Sequence, residues 1–149
     1  MFRGNSFHTI DPKGRFIIPA RFRDVLQSSS FNSLMISKMD NALVAYPFEE
    51  WQKIEQRVLN TAVKSDTIRR FRRFFIGGAF ECPHDKQGRI LIPPALREYA
   101  GLRKEIVLVG VLNHFEIWAK ENWHSEEGQF ENDMNTNKEM RDEIAELGL

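Results

Sequence analysis

The chain has a single cysteine, Cys82, among 149 residues. One thiol cannot form an internal disulfide, which fits a reducing compartment. No apolar run approaches the ~18 residues that a membrane span needs, and the opening MFRGNSFHTID lacks the apolar stretch of a signal peptide. A cytoplasmic protein with no membrane partner is therefore expected. No glycine-rich phosphate loop is present. No serine or cysteine is accompanied by a base and an orienting acid in a nucleophile signature. The expectation is a protein that is not an enzyme and takes no cofactor or small-molecule substrate. Histidine is scarce, at four residues. Cys82, His84, His114 and His124 follow no established zinc spacing, so no metal is expected.

Net charge is also missing, because 21 bases balance 21 acids. Their distribution is uneven. From Met1 to Arg23 the bases Arg3, Lys13, Arg15, Arg21 and Arg23 face only Asp11. From Lys64 to Arg73 five bases face only Asp66. Beyond Lys120 the sign inverts: nine acids from Glu121 to Glu146 face only Lys138 and Arg141. A basic front with an acidic tail suggests a polyanion-binding face and a separate solvating segment, although each run also reads as a solvated surface. Hydrophobic residues make up 42% of the chain, enough for a real core.

What is abundant is repetition. DPKGRFIIPARFR, Asp11–Arg23, returns as DKQGRILIPPALR, Asp85–Arg97. Asp, Gly, Arg, Ile, Pro and the closing Arg coincide. Downstream, Asn41, Glu49 and Trp51 match Asn113, Glu121 and Trp123. A unit of roughly seventy residues is used twice. Within the first copy, the alternation of SFHTI predicts a strand over Ser6–Ile10, followed by a DPKG turn. In that turn Asp11 bonds the backbone ahead, Pro12 presets φ and Gly14 takes a left-handed position. RFII is expected as a second strand antiparallel to the first. Pro19 opens a helix, QSSSFNS is a loop, and LMISKM and ALVAY form a hairpin turning at Asp40–Asn41. Pro47 opens a helix carrying Trp51, Ile54 and Val58 on one face. The second copy repeats this order, with its first helix ending before Gly101.

Seventy residues bury only a marginal core. Two halves can complete one another and remove exposed strand edges. The expected fold is α+β, mainly β, with two hairpin-helix repeats completing one barrel-like core. The expected divisions are 1–60 for the first repeat, 61–78 for a basic helical connector, 79–124 for the second repeat and 125–149 for the acidic tail. In the connector, Ile68, Phe71, Phe75 and Ile76 share one helical face and the arginines take the other.

The Asp–Arg spacing in each turn admits two readings. Asp11 with Arg15, and Asp85 with Arg89, can simply brace a hairpin. The arginines can also project outward, where a planar guanidinium fork suits guanine or phosphate. Arg23 and Arg97 read as packing or helix-end residues. Trp51, Trp118 and Trp123 read as core or interface aromatics.

The doubled string D-x-x-G-R-hydrophobic-x-I-P-x-x-x-R, preceded by a strand, resembles the SpoVT/AbrB swapped-hairpin motif. With the opening MFRG and the chain length, it resembles the bacterial MraZ family from Met1 to about Trp123. That resemblance implies a transcriptional regulator binding double-stranded DNA at the promoter of the division and cell-wall gene cluster. The sites would be short G-rich direct repeats, and the protein a ring of subunits, cytoplasmic and nucleoid-associated. It puts Asp11–Arg15 and Asp85–Arg89 on the DNA side. The expected DNA-binding residues are Arg15, Lys13, Arg3, Arg89 and Lys86; the turn-structuring residues are Asp11, Gly14, Asp85 and Gly88. The two turns differ, since Pro12 and Lys13 become Lys86 and Gln87. An RNA- or protein-binding module using the same basic turns is the alternative.

Overall fold

The computed structural model describes residues 1–27, 33–63 and 65–149. The serine run Ser28–Ser30 and Lys64 lie outside the described residues. The alternating N-terminal stretch forms β1 (Asn5–Thr9), and the run after the first turn forms β2 (Arg15–Ile17). Then come α1 (Ala20–Gln27), β3 (Ser33–Met39), β4 (Ala42–Pro47) and α2 (Phe48–Asn60). The second half runs β5 (Phe80–Pro83), β6 (Arg89–Leu91), α4 (Pro94–Ala100), β7 (Glu105–Gly110) and β8 (Phe115–Ala119), after the connecting helix α3 (Asp66–Phe71). Proline stands at the head of α1, α2 and α4, where a helix leaves its first N–H groups unpaired and proline has none to lose. Gly101 ends α4 in a left-handed conformation, φ 66°. Asp40 and Asn41, at φ 55° and 63°, close the β3–β4 hairpin as a type I′ turn whose twist suits the strands.

Strand pairing differs from the sequence expectation in both copies, since β5 ladders with β3 and not with β6. β2 does not ladder with β1. It pairs with β6, its counterpart in the other half, and β1 pairs with β7. The reason is burial. Pairing β2 with β6 sets Phe16 against Ile90 on one inner face, and both are at most 2% exposed. The exchange is general. Of the six ladders among the described residues, only β3–β4 and β7–β8 lie within one half. The ladders β1–β7, β2–β6, β3–β5 and β4–β8 all join the halves.

The outcome is an α+β fold around a six-stranded antiparallel sheet, order β1-β7-β8-β4-β3-β5, with β2–β6 as a separate two-stranded ribbon. The long ladder is open between β1 and β5. There the ribbon continues the layer, β2 adjoining β1 and β6 adjoining β5. Phe16, Ile18, Ile90 and Ile92 from the ribbon region enter the same core as Leu34, Ile36, Leu43, Ile106 and Ile117 of the sheet. Phe2, Phe22 and Phe115 meet there with ring centres 5.0–5.3 Å apart. A second cluster packs Val44 with Trp51 of α2 and Phe75 of the connector.

That connector begins as α3, capped by Ser65 Oγ accepting from Ile68 N–H. It continues as a π-helical turn, Arg72–Ile76, closed by the Gly77 N–H donating to the Arg72 carbonyl at 3.0 Å. The π-turn adds a residue to the turn and so rotates the side chains that come after it about the axis. Of the expected apolar face, Phe75 is buried and Ile68 and Ile76 are half-buried, whereas Phe71, stacked on Phe75, remains 37% exposed. Buried Ser37 on β3 donates to the Phe75 carbonyl at 2.6 Å.

Residues Lys120–Leu149 form a separate unit. It comprises α5 (Lys120–Thr136) and α6 (Lys138–Ala145), and none of their residues is buried. Asn137 caps α6, its Oδ1 accepting from Met140 N–H at 3.1 Å. No helix among the described residues is long and apolar enough to cross a membrane.

Candidate nucleic-acid interface

Each Asp-x-x-Gly-Arg turn is built by its own carboxylate. Asp11 Oδ1 accepts from the N–H groups of Lys13, at 3.0 Å, and Arg15, at 2.8 Å. Asp11 Oδ2 accepts from Arg15 Nε at 2.7 Å. The second turn repeats this: Asp85 Oδ1 takes Gln87 N–H and Arg89 N–H, both at 2.9 Å, and Oδ2 takes Arg89 Nε at 2.7 Å. The main chain closes each hairpin, Gly14 N–H donating to the Asp11 carbonyl and Gly88 N–H to the Asp85 carbonyl. Gly14 and Gly88 hold φ of 92° and 75°, which a side chain would strain. These bonds hold the carboxyl groups of Asp11 and Asp85 below the usual carboxylate range. The backbone N–H of the arginine is the largest cause, ahead of its guanidinium.

Bracing and outward projection are both satisfied. Nε of each arginine is spent on the aspartate, which fixes the plane of the guanidinium. Among the described residues nothing accepts from the terminal nitrogens of Arg15 or Arg89. Each presents a fork of free donors, about one-third exposed.

The ribbon puts both forks on one side. Arg15 pairs with Leu91, Phe16 with Ile90, and Ile17 with Arg89. Side chains alternate, so Phe16 and Ile90 face the core while Arg15, Ile17, Arg89 and Leu91 face out. The Ile18 N–H donates to the Gly88 carbonyl at 3.0 Å and the Ile92 N–H to the Gly14 carbonyl at 2.8 Å. The two turns therefore sit at opposite ends of one short ribbon. From ladder spacings, the Arg15 and Arg89 Cα atoms are about 8 Å apart. Lys13 and Lys86 are exposed in the two turns. Arg3 is not with them. It precedes β1, whereas the turn comes after that strand, and five strand residues span about 17 Å. There its carbonyl accepts from Arg21 Nε at 3.4 Å.

Arg23 and Arg97, read as packing residues, back the turns of the opposite repeat. A Cβ on Gly14 would lie 2.5 Å from Arg97 Nε, and one on Gly88 would lie 3.3 Å from Arg23. Arg97 Nε also donates to the Ile92 carbonyl at 3.0 Å. The sequence carried a signal for this, since Gly and Arg recur together at matched places in both copies, but not that the contact crosses between copies.

The scarce titratable groups lie elsewhere. Cys82 is buried, donates weakly to the Phe80 carbonyl, and has its thiol pushed up to about 12, chiefly by burial. It is a protonated core residue at neutral pH. His114 stacks on Tyr46, with ring centres 4.5 Å apart. No group of three or more His, Cys, Asp or Glu among the described residues is arranged to hold a metal. Trp51 and Trp118 are buried, as aromatic core residues should be.

A family model described as "MraZ protein, putative antitoxin-like" matches residues 1–74 and again residues 75–144. The "Transcriptional regulator MraZ" of Desulforapulum autotrophicum is 58% identical over 149 residues, all of both chains. That of Desulfosudis oleivorans is 50% identical, again over all of both chains. The "Transcriptional regulator MraZ" of Pelotomaculum thermopropionicum is 46% identical, covering all of this chain and 99% of its own. The solution structure of PHS018 from Pyrococcus horikoshii overlaps 78% of this chain and 96% of its own, a distant likeness at 18% identity and a TM-score of 0.35. With the unit matched twice and full-length relatives at half identity or more, the chain belongs to the MraZ family.

Proposed function

We propose that the chain is a transcriptional regulator that binds double-stranded DNA in a sequence-specific way through the outer face of the β2–β6 ribbon. The observation that carries this reading is the pair of guanidinium forks, Arg15 and Arg89, clamped by aspartates and aimed from one face with their terminal nitrogens unpaired. A two-stranded ribbon fits a major groove about 12 Å wide, and a fixed arginine fork reads guanine O6 and N7 together. Lys13 and Lys86 extend the positive surface at the two ends and would meet phosphates. Arg3 would meet phosphate separately, from the other end of β1. The targets in this reading are short G-rich direct repeats in the promoter of the division and cell-wall gene cluster, and the protein works in the cytoplasm at the nucleoid.

Assembly is a consequence of the repeat. A subunit of two similar halves offers similar surfaces on two sides, which favours head-to-tail contacts, and these close into rings. Subunits related by such a rotation face one way, which suits direct repeats rather than palindromes. Two measurements test this reading. Titrations of duplex DNA, its single strands and the matching RNA duplex across a salt series should show clear preference for duplex DNA, with a log–log slope of about −0.9 per phosphate engaged. Mass in solution should exceed that of a dimer. Equal affinity for single strands, or a monomer or two-fold dimer in solution, would contradict the corresponding half of the proposal.

A further inference from the structure

The outer ribbon face holds two residues that a soluble surface has no evident need for. Ile17 is 57% exposed and Leu91 is 53% exposed. Both belong to the short β2–β6 ladder, each directly opposite an arginine: Leu91 faces Arg15 and Ile17 faces Arg89. Isolated apolar residues are common on surfaces. These two are not isolated in that sense. They form one diagonal of a four-residue face whose other diagonal is the two fixed guanidinium forks, with Lys13 and Lys86 beyond. Folding gains nothing from leaving them out, because their neighbours Phe16 and Ile90 already supply the buried face.

We infer that Ile17 and Leu91 are specificity-determining residues that read the 5-methyl groups of thymines beside the guanines taken by Arg15 and Arg89. This rests on the DNA-binding reading above and names a second feature of the base pairs that the face recognises. The occupant is set by charge: an apolar pair flanked by two guanidinium forks with free terminal donors, and by the exposed Lys13 and Lys86 beyond, matches a groove whose rim is phosphate. In the major groove, the thymine C5-methyl is the apolar feature that an aliphatic side chain can recognise. Directly opposed side chains on an antiparallel ribbon have Cβ atoms about 5 Å apart. An arginine on guanine O6 and N7 therefore holds its opposing aliphatic side chain within one or two base steps. The local pseudo-symmetry gives each arginine one such partner, so each guanine contact is accompanied by one methyl contact. A lysine or serine at either place would tolerate any base, whereas isoleucine and leucine gain only where a methyl is present.

The test uses the full-length protein. Duplexes are first selected from a randomised pool by the parent, and the thymines of the selected box are then replaced one at a time by deoxyuridine, which lacks only the methyl. At one or two positions next to guanine, replacement should weaken the parent about threefold to fourfold, the value of one buried methyl-sized group. The Ile17→Ala and Leu91→Ala variants, singly and together, should bind thymine and deoxyuridine duplexes equally at the matching positions while keeping their guanine preference. Their unfolding midpoints should match the parent, since both side chains are more than half exposed. Selection of no sequence at all would sink the DNA reading itself. A selected box whose thymines can all be replaced without loss would overturn this inference and leave the DNA reading standing. So would a double variant that retains the full thymine preference, because the methyl would then be read elsewhere. A drop in solution mass on Ile17→Ala would also overturn it, by showing that the patch is covered by a second copy of the chain.

Discussion

Replacing Gly14 by alanine should cost distinctly more than replacing Gly88, although the two glycines hold the same place in the two repeats. Both sit at positive φ, 92° and 75°, and forcing an L-residue there costs roughly 1–2 kcal/mol. They differ in what lies overhead. A Cβ at 14 would meet Arg97 Nε, Cζ and Cδ at 2.5, 2.7 and 2.9 Å, so the side chain must leave. In leaving it gives up its bond to the Ile92 carbonyl, worth about 0.5–1.5 kcal/mol. A Cβ at 88 meets Arg23 no closer than 3.3 Å, and a small adjustment suffices. The expected totals are about 1.5–3.5 kcal/mol for Gly14→Ala and about 1–2 kcal/mol for Gly88→Ala. For a chain of this size the midpoints should fall by about 3–14 °C and about 2–8 °C. The assay is thermal unfolding by circular dichroism at one fixed protein concentration, because the proposed assembly would make the midpoint concentration-dependent. The decisive arm is the Arg97→Ala background. With the overhead side chain gone, Gly14→Ala should cost about as much as Gly88→Ala, a coupling of about 1 kcal/mol. Strict additivity between Gly14→Ala and Arg97→Ala would refute the cross-repeat contact.

Three further outcomes are expected. The halves Met1–Gly77 and Gly78–Leu149 should fail to unfold cooperatively alone and should associate when mixed, because four of the six ladders join them; two independent cooperative monomers would contradict this. Stability should fall on acidification in two stages. Burial holds His8 and His114 below the ordinary histidine value, helped at His8 by Arg21, so their contribution is complete above about pH 6.5 and declines below it. Asp11 and Asp85 are likewise depressed, so theirs is complete above about pH 4 and is lost as pH falls through their lower folded values. Midpoints measured against pH for the Asp11→Asn, Asp85→Asn double variant should lack the second stage. Removing residues 125–149 should leave DNA affinity equal or slightly higher, since this segment is acidic and none of its helical residues is buried; a large loss in a direct titration would give the segment a structural part in binding.

Local chemistry made most elements legible. The turn residues Asp11, Gly14, Asp40 and Asn41, and the prolines at helix starts, act within a few positions of themselves, so their consequences can be read in order along the chain. Strand partnership cannot be. The hairpin expectation paired β2 with β1 because they are adjacent in sequence, yet the burial of Phe16 against Ile90, 74 residues away by the ladder register, decides otherwise. For the same reason the arginines of the two turns read as two separate tips, whereas they share one ribbon face. Exposure of Ile17 and Leu91 was hidden too. Within RFII and RILI every position is apolar after the arginine, and only the pairing tells which of them turn outward. The π-turn at Arg72–Ile76 has no local signal in its composition.

The most direct test of the account is binding of the parent, Arg15→Ala and Arg89→Ala to duplexes carrying one, two or three boxes in direct repeat, about 10 base pairs apart. Salt must be fixed, because phosphate contacts make affinity depend on it. One ribbon makes few contacts, so the parent should bind one box weakly and three boxes more tightly by about 10²-fold or more, as linked sites raise the effective concentration. Each lost bidentate contact removes about 1–3 kcal/mol of discrimination and recurs in every engaged subunit, so Arg15→Ala should be far more damaging on three boxes than on one. Arg89→Ala should do less, since in the second turn Pro12 and Lys13 give way to Lys86 and Gln87. Arg15→Ala binding as well as the parent would contradict the assignment of the interface, and equal parent affinity for one box and three would contradict the linked, head-to-tail arrangement.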